Sequence, residues 1–139
     1  MTDEEFVIWC AGFFDGEGCI HLRLNSVARN STGGSWIARV QVSQNDGSSD
    51  ILRRIQLRFG GTICRNGNGK TNKRLEFCGK AEGVAFVKAI LPWLIVKRDQ
   101  AEMYLEFCRL GTYSGGRITD EARERRLELI REVKEAKHG

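Results

Sequence analysis

Two carboxylates set among glycines make Cys10-Ala11-Gly12-Phe13-Phe14-Asp15-Gly16-Glu17-Gly18 the stretch of this chain best suited to chemistry. The run from Phe6 to Phe14 is apolar throughout, which predicts a helix buried on most sides. Thr2 with Glu5 three residues later is a capping box that opens it, and the glycines stop it near Asp15–Gly18. Gly12 and Gly16 share one helix face, with Ala11 beside them. Small residues at that spacing let two backbones approach closely. Two copies of the helix packed about a two-fold axis would bring both copies of Glu17 to that axis. A carboxylate leaving the end of such a helix is a hard oxygen ligand for Mg²⁺ or Mn²⁺. Glu17 is therefore the first candidate, and Asp15 and Gly18 read as a cap and a turn.

Other chemistries are poorly represented. His21 and His138 are the only histidines, too few for a histidine-based nuclease site or a two-histidine zinc site. The chain has no phosphate-binding P-loop and no serine-hydrolase elbow. Cys10, Cys19, Cys64, Cys78 and Cys108 are odd in number, widely spaced and form no C-x-x-C pair, as expected of free thiols in a reducing compartment. The length, 139 residues with 41% apolar, suits one globular domain, and no apolar run is long enough to span a membrane. Met1-Thr2-Asp3-Glu4-Glu5 does not resemble a secretory or transit leader, so the expected location is the compartment of synthesis, whether a bacterial or phage cytoplasm or an organelle.

Charge is unevenly distributed. Residues 1–19 hold five acids and no Lys or Arg, residues 20–99 hold fourteen Lys/Arg against five acids, and residues 100–139 hold eight of each. The basic middle is where strands are expected. Residues 19–25 and 36–44 alternate in polarity and form one predicted hairpin, with Ile20, Leu22, Leu24, Ala38, Val40 and Val42 facing in. A short helix with Ile51, Ile55 and Phe59 follows and ends at Gly60-Gly61. Residues 62–66 and 74–78 read as a second hairpin. Helices are predicted over 80–91, stopping before Pro92, over 97–110, and from a Thr119 cap to about Lys137. This αββαββα order, with further helix after it, predicts an α+β fold: a twisted four-stranded antiparallel sheet with helices on one face. Residues 1–110 form the expected core and 111–139 a helical extension of the same domain. The outward strand positions are His21, Arg23, Asn25, Arg39, Gln41, Ser43, Asn66, Arg74 and Glu76. Donors and acceptors of these kinds pair with phosphates and base edges, and a sheet can enter the major groove.

The stretch Cys10-Ala11-Gly12-Phe13-Phe14-Asp15-Gly16-Glu17-Gly18 closely resembles the LAGLIDADG motif of homing endonucleases, and the element order resembles that family's domain over about residues 1–110. The motif occurs once, and one-motif members of the family are homodimers. The resemblance implies a metal-dependent endonuclease that saddles double-stranded DNA and cuts both strands of a long, near-palindromic site, leaving short 3′ overhangs. It implies that Glu17 and the Gly16 carbonyl face the metal, where many relatives have Asp in place of Glu17. It also implies that Gln44 orders water near the scissile phosphate and that Lys97 stabilises phosphate charge or activates water. Ser48 and Arg98 are peripheral candidates. Two other functions fit the same scaffold: an RNA maturase that assists intron splicing, and a DNA-binding regulator that does not cut.

Overall fold

The computed structural model describes residues 1–25, 35–45, 49–65, 72–110 and 118–138. The capping box is present: the Glu5 amide donates to Thr2 Oγ1 at 3.1 Å, and the Thr2 amide donates to Glu5 Oε1 at 2.7 Å. It opens α1, Asp3–Glu17, which ends where the Gly18 N–H donates to the Phe14 carbonyl. Gly18 has an ordinary extended backbone, but a Cβ there would run into the Phe14 ring, so the position needs a glycine for space.

Helix α1 is not buried on most sides. Val7, Cys10, Ala11 and Phe14, at i, i+3, i+4 and i+7, enter the core, while Ile8 and Trp9 remain 39% and 40% exposed beside Gly12 and Gly16. The helix is apolar all round, but only one of its faces is buried within the chain.

The four strands are β1 (Gly18–Asn25), β2 (Ser35–Asn45), β3 (Thr62–Arg65) and β4 (Asn72–Phe77), antiparallel in the order β1-β2-β4-β3. Each hairpin pairs within itself, and the two join where Val40–Asn45 meets Asn72–Phe77. Helix α2 (Ser49–Phe59) crosses from β2 to β3 and ends at Gly60 and Gly61, whose φ of +91° and +93° suits glycine best. Helix α3 (Lys80–Ile90) runs into a 3-10 turn over Leu91–Trp93 that accommodates Pro92. Helix α4 is Arg98–Arg109, and α5, Asp120–His138, begins where Thr119 Oγ1 accepts the Ala122 N–H at 3.0 Å.

One face of the sheet supports the core. Ile20, Leu22, Val40, Val42, Leu75 and Phe77 are buried there against the helices. Phe86 of α3 is central, with ring centroids 4.7 Å from Phe77, 5.1 Å from Phe59 and 6.0 Å from Phe14. Truncating such a side chain to Ala typically costs about 3–5 kcal/mol. Helix α5 packs along β1, a strand at the edge of the sheet. Its Arg126 lies over Trp36, which pairs with Leu24, and its Lys137 Nζ reaches Cys19 Sγ at 3.6 Å. Leu129 and Val133 between them are buried. Covering an edge strand in this way keeps it from pairing with other chains.

Candidate active site and nucleic-acid interface

The last turn of α1 positions the site. The Asp15 carboxylate accepts three backbone N–H groups: Ile95 at 2.8 Å, Val96 at 3.1 Å and Lys97 at 2.9 Å. Asp15 therefore fixes the segment that leads into α4, whose N-cap residue is Lys97, and ties two distant parts of the chain together. The Lys97 ammonium turns back to the Asp15 carbonyl at 2.6 Å. That carbonyl belongs to the unsatisfied end of α1, where the helix dipole favours a cation. Glu17 emerges beside it, exposed and without a hydrogen bond or ion pair to any described residue. Thus Glu17 and Lys97, eighty positions apart, meet at one helix end.

Gln44 comes to the same region from the sheet. Gly18 pairs with Val42, which puts the chain at Glu17 beside Ser43 and Gln44. Gln44 alternates with Val42, so it points to the helical side and lines a groove with Trp9, Phe13 and Arg54. Phe13 is one turn before Glu17. Arg98 pairs with Glu102 at 3.5 Å on its own helix and donates to the Leu91 carbonyl at 3.5 Å. Ser48 and Asn66 lie outside the described residues.

Gly12 and Gly16 are open, since a Cβ at either would meet nothing within 4 Å. Ala11 is a correction to the expected contact face. It is fully buried in the chain's own core, because one residue along a helix is a 100° rotation away from Gly12.

The outer face of the sheet carries the remaining candidates in cross-strand rows. Arg23 lies opposite Ile37, and His21 opposite Arg39. Cys19, Gln41, Glu76 and Thr62 form one row across all four strands, and Ser43, Arg74 and Cys64 form the next. Arg74 and Glu76 bind one another through Nε and Oε1. That bond holds the Glu76 carboxyl below its usual range, and Arg74 Nη1 also donates to the Arg65 carbonyl at 3.3 Å. This pair is engaged within the protein, whereas the Arg23 and Asn25 side chains are exposed. His21 is held below its ordinary value by partial burial first, then by Lys137, Arg39 and Arg23.

Lys134 and Lys137 were not among the sequence candidates. The end of α5 brings both to a groove of about 210 Å³ shared with His21, Arg23 and Arg39. Their three-residue spacing puts them on one helix face, but the balanced charge of residues 100–139 hid them.

Residues 10–108 match the LAGLIDADG endonuclease family. The chain belongs to that family. Among solved structures, it is similar to the homing endonuclease I-CvuI in complex with its target in 2 mM Ca, with a TM-score of 0.82 at 22% identity over 99% of this chain and 85% of that one. It is similar also to the archaeal intron-encoded homing endonuclease I-Vdi141I complexed with DNA, at TM-score 0.81 and 19% identity over 96% and 86%. A third, the homing endonuclease I-TnaI, gives TM-score 0.76 and 20% identity over 95% and 93%. Comparison with curated proteins found no match. These likenesses show the LAGLIDADG homing-endonuclease fold, with its four-stranded antiparallel open sheet and helices. No described helix is long and apolar enough to cross a membrane.

Proposed function

We propose that this LAGLIDADG protein is a homing endonuclease that works as a homodimer and hydrolyses one phosphodiester in each strand of a duplex, using Glu17 as a divalent-metal ligand. The observation that carries the reading is the exposed stripe of α1. Ile8, Trp9, Gly12 and Gly16 form an apolar, close-approach face that ends at Glu17, which binds no described residue. Two such faces packed together would set two carboxylates side by side. Among the described residues of one chain no group of three His, Cys, Asp or Glu is gathered, so a second copy is needed to add to Glu17 there. The donor set is one carboxylate and the Gly16 carbonyl. It fits Mg²⁺ or Mn²⁺ when the second copy's carboxylate and phosphate oxygens complete it.

A cation held there would stabilise charge on the phosphoryl oxygens. The protein's own groups do the rest. Lys97, held by the Asp15 carbonyl, places a positive charge where the phosphate gains negative charge. Gln44 offers an amide to orient a water. The outer sheet face positions the duplex: Arg23, Arg39, Lys134 and Lys137 meet phosphates, and His21, Asn25, Gln41 and Ser43 face base edges. The I-CvuI complexes with DNA, solved with Ca and, with the DNA not cleaved, with Mg, support the DNA-binding part of this reading by analogy of fold.

A library of randomised duplexes incubated with the protein in Mg²⁺ tests it. Recovery of cut ends from one near-palindromic sequence, with sedimentation as a dimer and loss of cutting in chelator, is the expected result. A monomer with full activity, or no cleaved sequence in Mg²⁺ or Mn²⁺, would overturn the reading.

A further inference from the structure

The far end of the helical layer holds a cation that the fold does not neutralise. Arg126 of α5 is only 7% exposed, and its Nε has no hydrogen-bond partner among the described residues. Its guanidinium lies over two rings, 4.7 Å from the Phe107 centroid and 5.2 Å from Trp36. Burial without a carboxylate lowers its affinity for a proton. A buried guanidinium is costly unless paired, and stacking on rings offsets only part of that cost.

The nearby acids are engaged elsewhere. Glu106, Glu128 and Glu132 all bind the neighbouring Arg125, at 2.6, 3.0 and 2.9 Å. Arg126 instead lines a cavity of about 330 Å³ whose other cation is Lys80. Among the described residues no carboxylate lines that cavity, nor the adjoining groove formed by Lys80, Lys88 and Arg109. Lys80 is also the first residue of α3, an 11-residue helix whose N-cap, Gly79, supplies no side-chain bond to the first turn. The helix dipole there favours an anion, which Glu82 in the first turn answers only in part, since Gly79 leaves the first amides without a side-chain cap.

We propose that the cavity between Trp36, Phe107, Lys80 and Arg126 is a phosphate-binding site. It would take a phosphate group, either free in solution or on a duplex flank, between Arg126, Lys80 and the start of α3. Arg suits this role because its fork can donate two hydrogen bonds to a phosphate. The site is separate from the end of α1 and does not depend on the nuclease reading.

The test is thermal unfolding of the wild-type chain and of Arg126→Met in chloride and in inorganic phosphate at matched ionic strength. Met keeps most of the volume and removes the buried charge. In chloride, the variant should melt at the same temperature as wild type or higher. In phosphate, wild type should gain steadily, by roughly 8 °C once phosphate reaches about a hundred times its Kd. The variant should gain only the general salting effect, and Lys80→Met should gain an intermediate amount. Equal phosphate gains in wild type and Arg126→Met would overturn the proposal, as would a wild type that phosphate does not stabilise beyond sulfate-free ionic-strength controls. Duplex binding in the same buffers separates the two sources. If the phosphate belongs to DNA, Arg126→Met weakens binding of long duplexes and free phosphate competes with them. If it is free phosphate, duplex affinity is the same for both proteins while the thermal difference persists.

Discussion

At each end of the molecule two like charges stand close together, and each pair divides in the same way. At the end of α1, Asp15 accepts three backbone amides, while Glu17, two residues on, binds no described residue. At the junction of α4 and α5, Arg125 meets three carboxylates, while Arg126 meets none. The first member of each pair joins segments that are far apart in sequence. The second forms no ion pair with a described residue. The ends differ in solvent: Glu17 is exposed and keeps its water at little cost, whereas Arg126 is 7% exposed. An exposed spare charge fits a ligand that arrives and leaves with each turnover, and a buried one fits an anion that is held.

The sharpest way to break the contrast at α1 is to change its two acids separately. Glu17→Gln keeps the shape and removes the charge, so the chain should melt as wild type does. Losing a metal ligand removes several kcal/mol of transition-state stabilisation, and at about 1.36 kcal/mol per factor of ten the single-turnover cleavage rate should fall by ~10³-fold or more. Duplex affinity in chelator should hold or tighten, since two negative charges leave the middle of the dimer. A Glu17→Gln protein that cuts at the wild-type rate would remove the metal role. Gly12→Leu comes next. In the single chain a side chain there meets open space, and leaving glycine behind favours a helix by roughly 0.5–1 kcal/mol. The fold should therefore be unharmed or stabilised, while sedimentation shows monomers and cleavage disappears. A stable Gly12→Leu dimer would mean that the exposed stripe of α1 has another purpose.

Asp15→Asn gives the converse outcome. The amide cannot accept all three N–H bonds, and bonds to a charged acceptor are worth about 1.5–3 kcal/mol each. Urea unfolding should show a loss of about 1–3 kcal/mol, with cleavage reduced through the displaced Lys97. An unchanged midpoint would show that the bridge between α1 and α4 contributes nothing to stability.

Much of this arrangement was legible because it is local. The Thr2–Glu5 box, the alternation in 19–25 and 36–44, and Gly60-Gly61 each depend on neighbours within a few residues. On α1 the same local pattern failed. Val7, Cys10, Ala11 and Phe14 mark the core face, but the opposite face is apolar too, so no contrast in polarity showed that Ala11 and Gly12 look in different directions. Glu17 and Lys97 could be named from the motif, but not the device that joins them, because Asp15 reaches backbone amides eighty positions away and amides carry no sequence signal. The order β1-β2-β4-β3 and the docking of α5 are long-range results of packing. The balanced charges of α5 read as a solvated helix, although Arg126 is buried and Lys134 and Lys137 reach the sheet.

The smallest expected effect concerns His21, and it tests whether the outer sheet face is built for a polyanion. Partial burial and the cations Lys137, Arg39 and Arg23 hold its pKa below the ordinary 6.5, so His21 is neutral at pH 7 in the free protein. The unfolded chain binds the proton more readily, so folding stability from this residue is present above 6.5 and declines as pH falls through the lowered value. DNA phosphates against the same groove reverse the field. His21 then gains a proton on binding, and duplex affinity should rise as pH drops from about 7.5 to about 5.5, by up to tenfold per unit of difference between bound and free values. The two trends have opposite signs: acid weakens the free fold and strengthens the complex. Binding isotherms across that range, with proton uptake measured by calorimetry in two buffers, resolve them. His21→Asn should flatten the affinity trend without changing the salt dependence, because Arg23, Arg39, Lys134 and Lys137 still meet the phosphates. If His21→Asn leaves the pH slope as steep as in wild type, the duplex does not lie over β1, and the basic groove at the end of α5 faces something else.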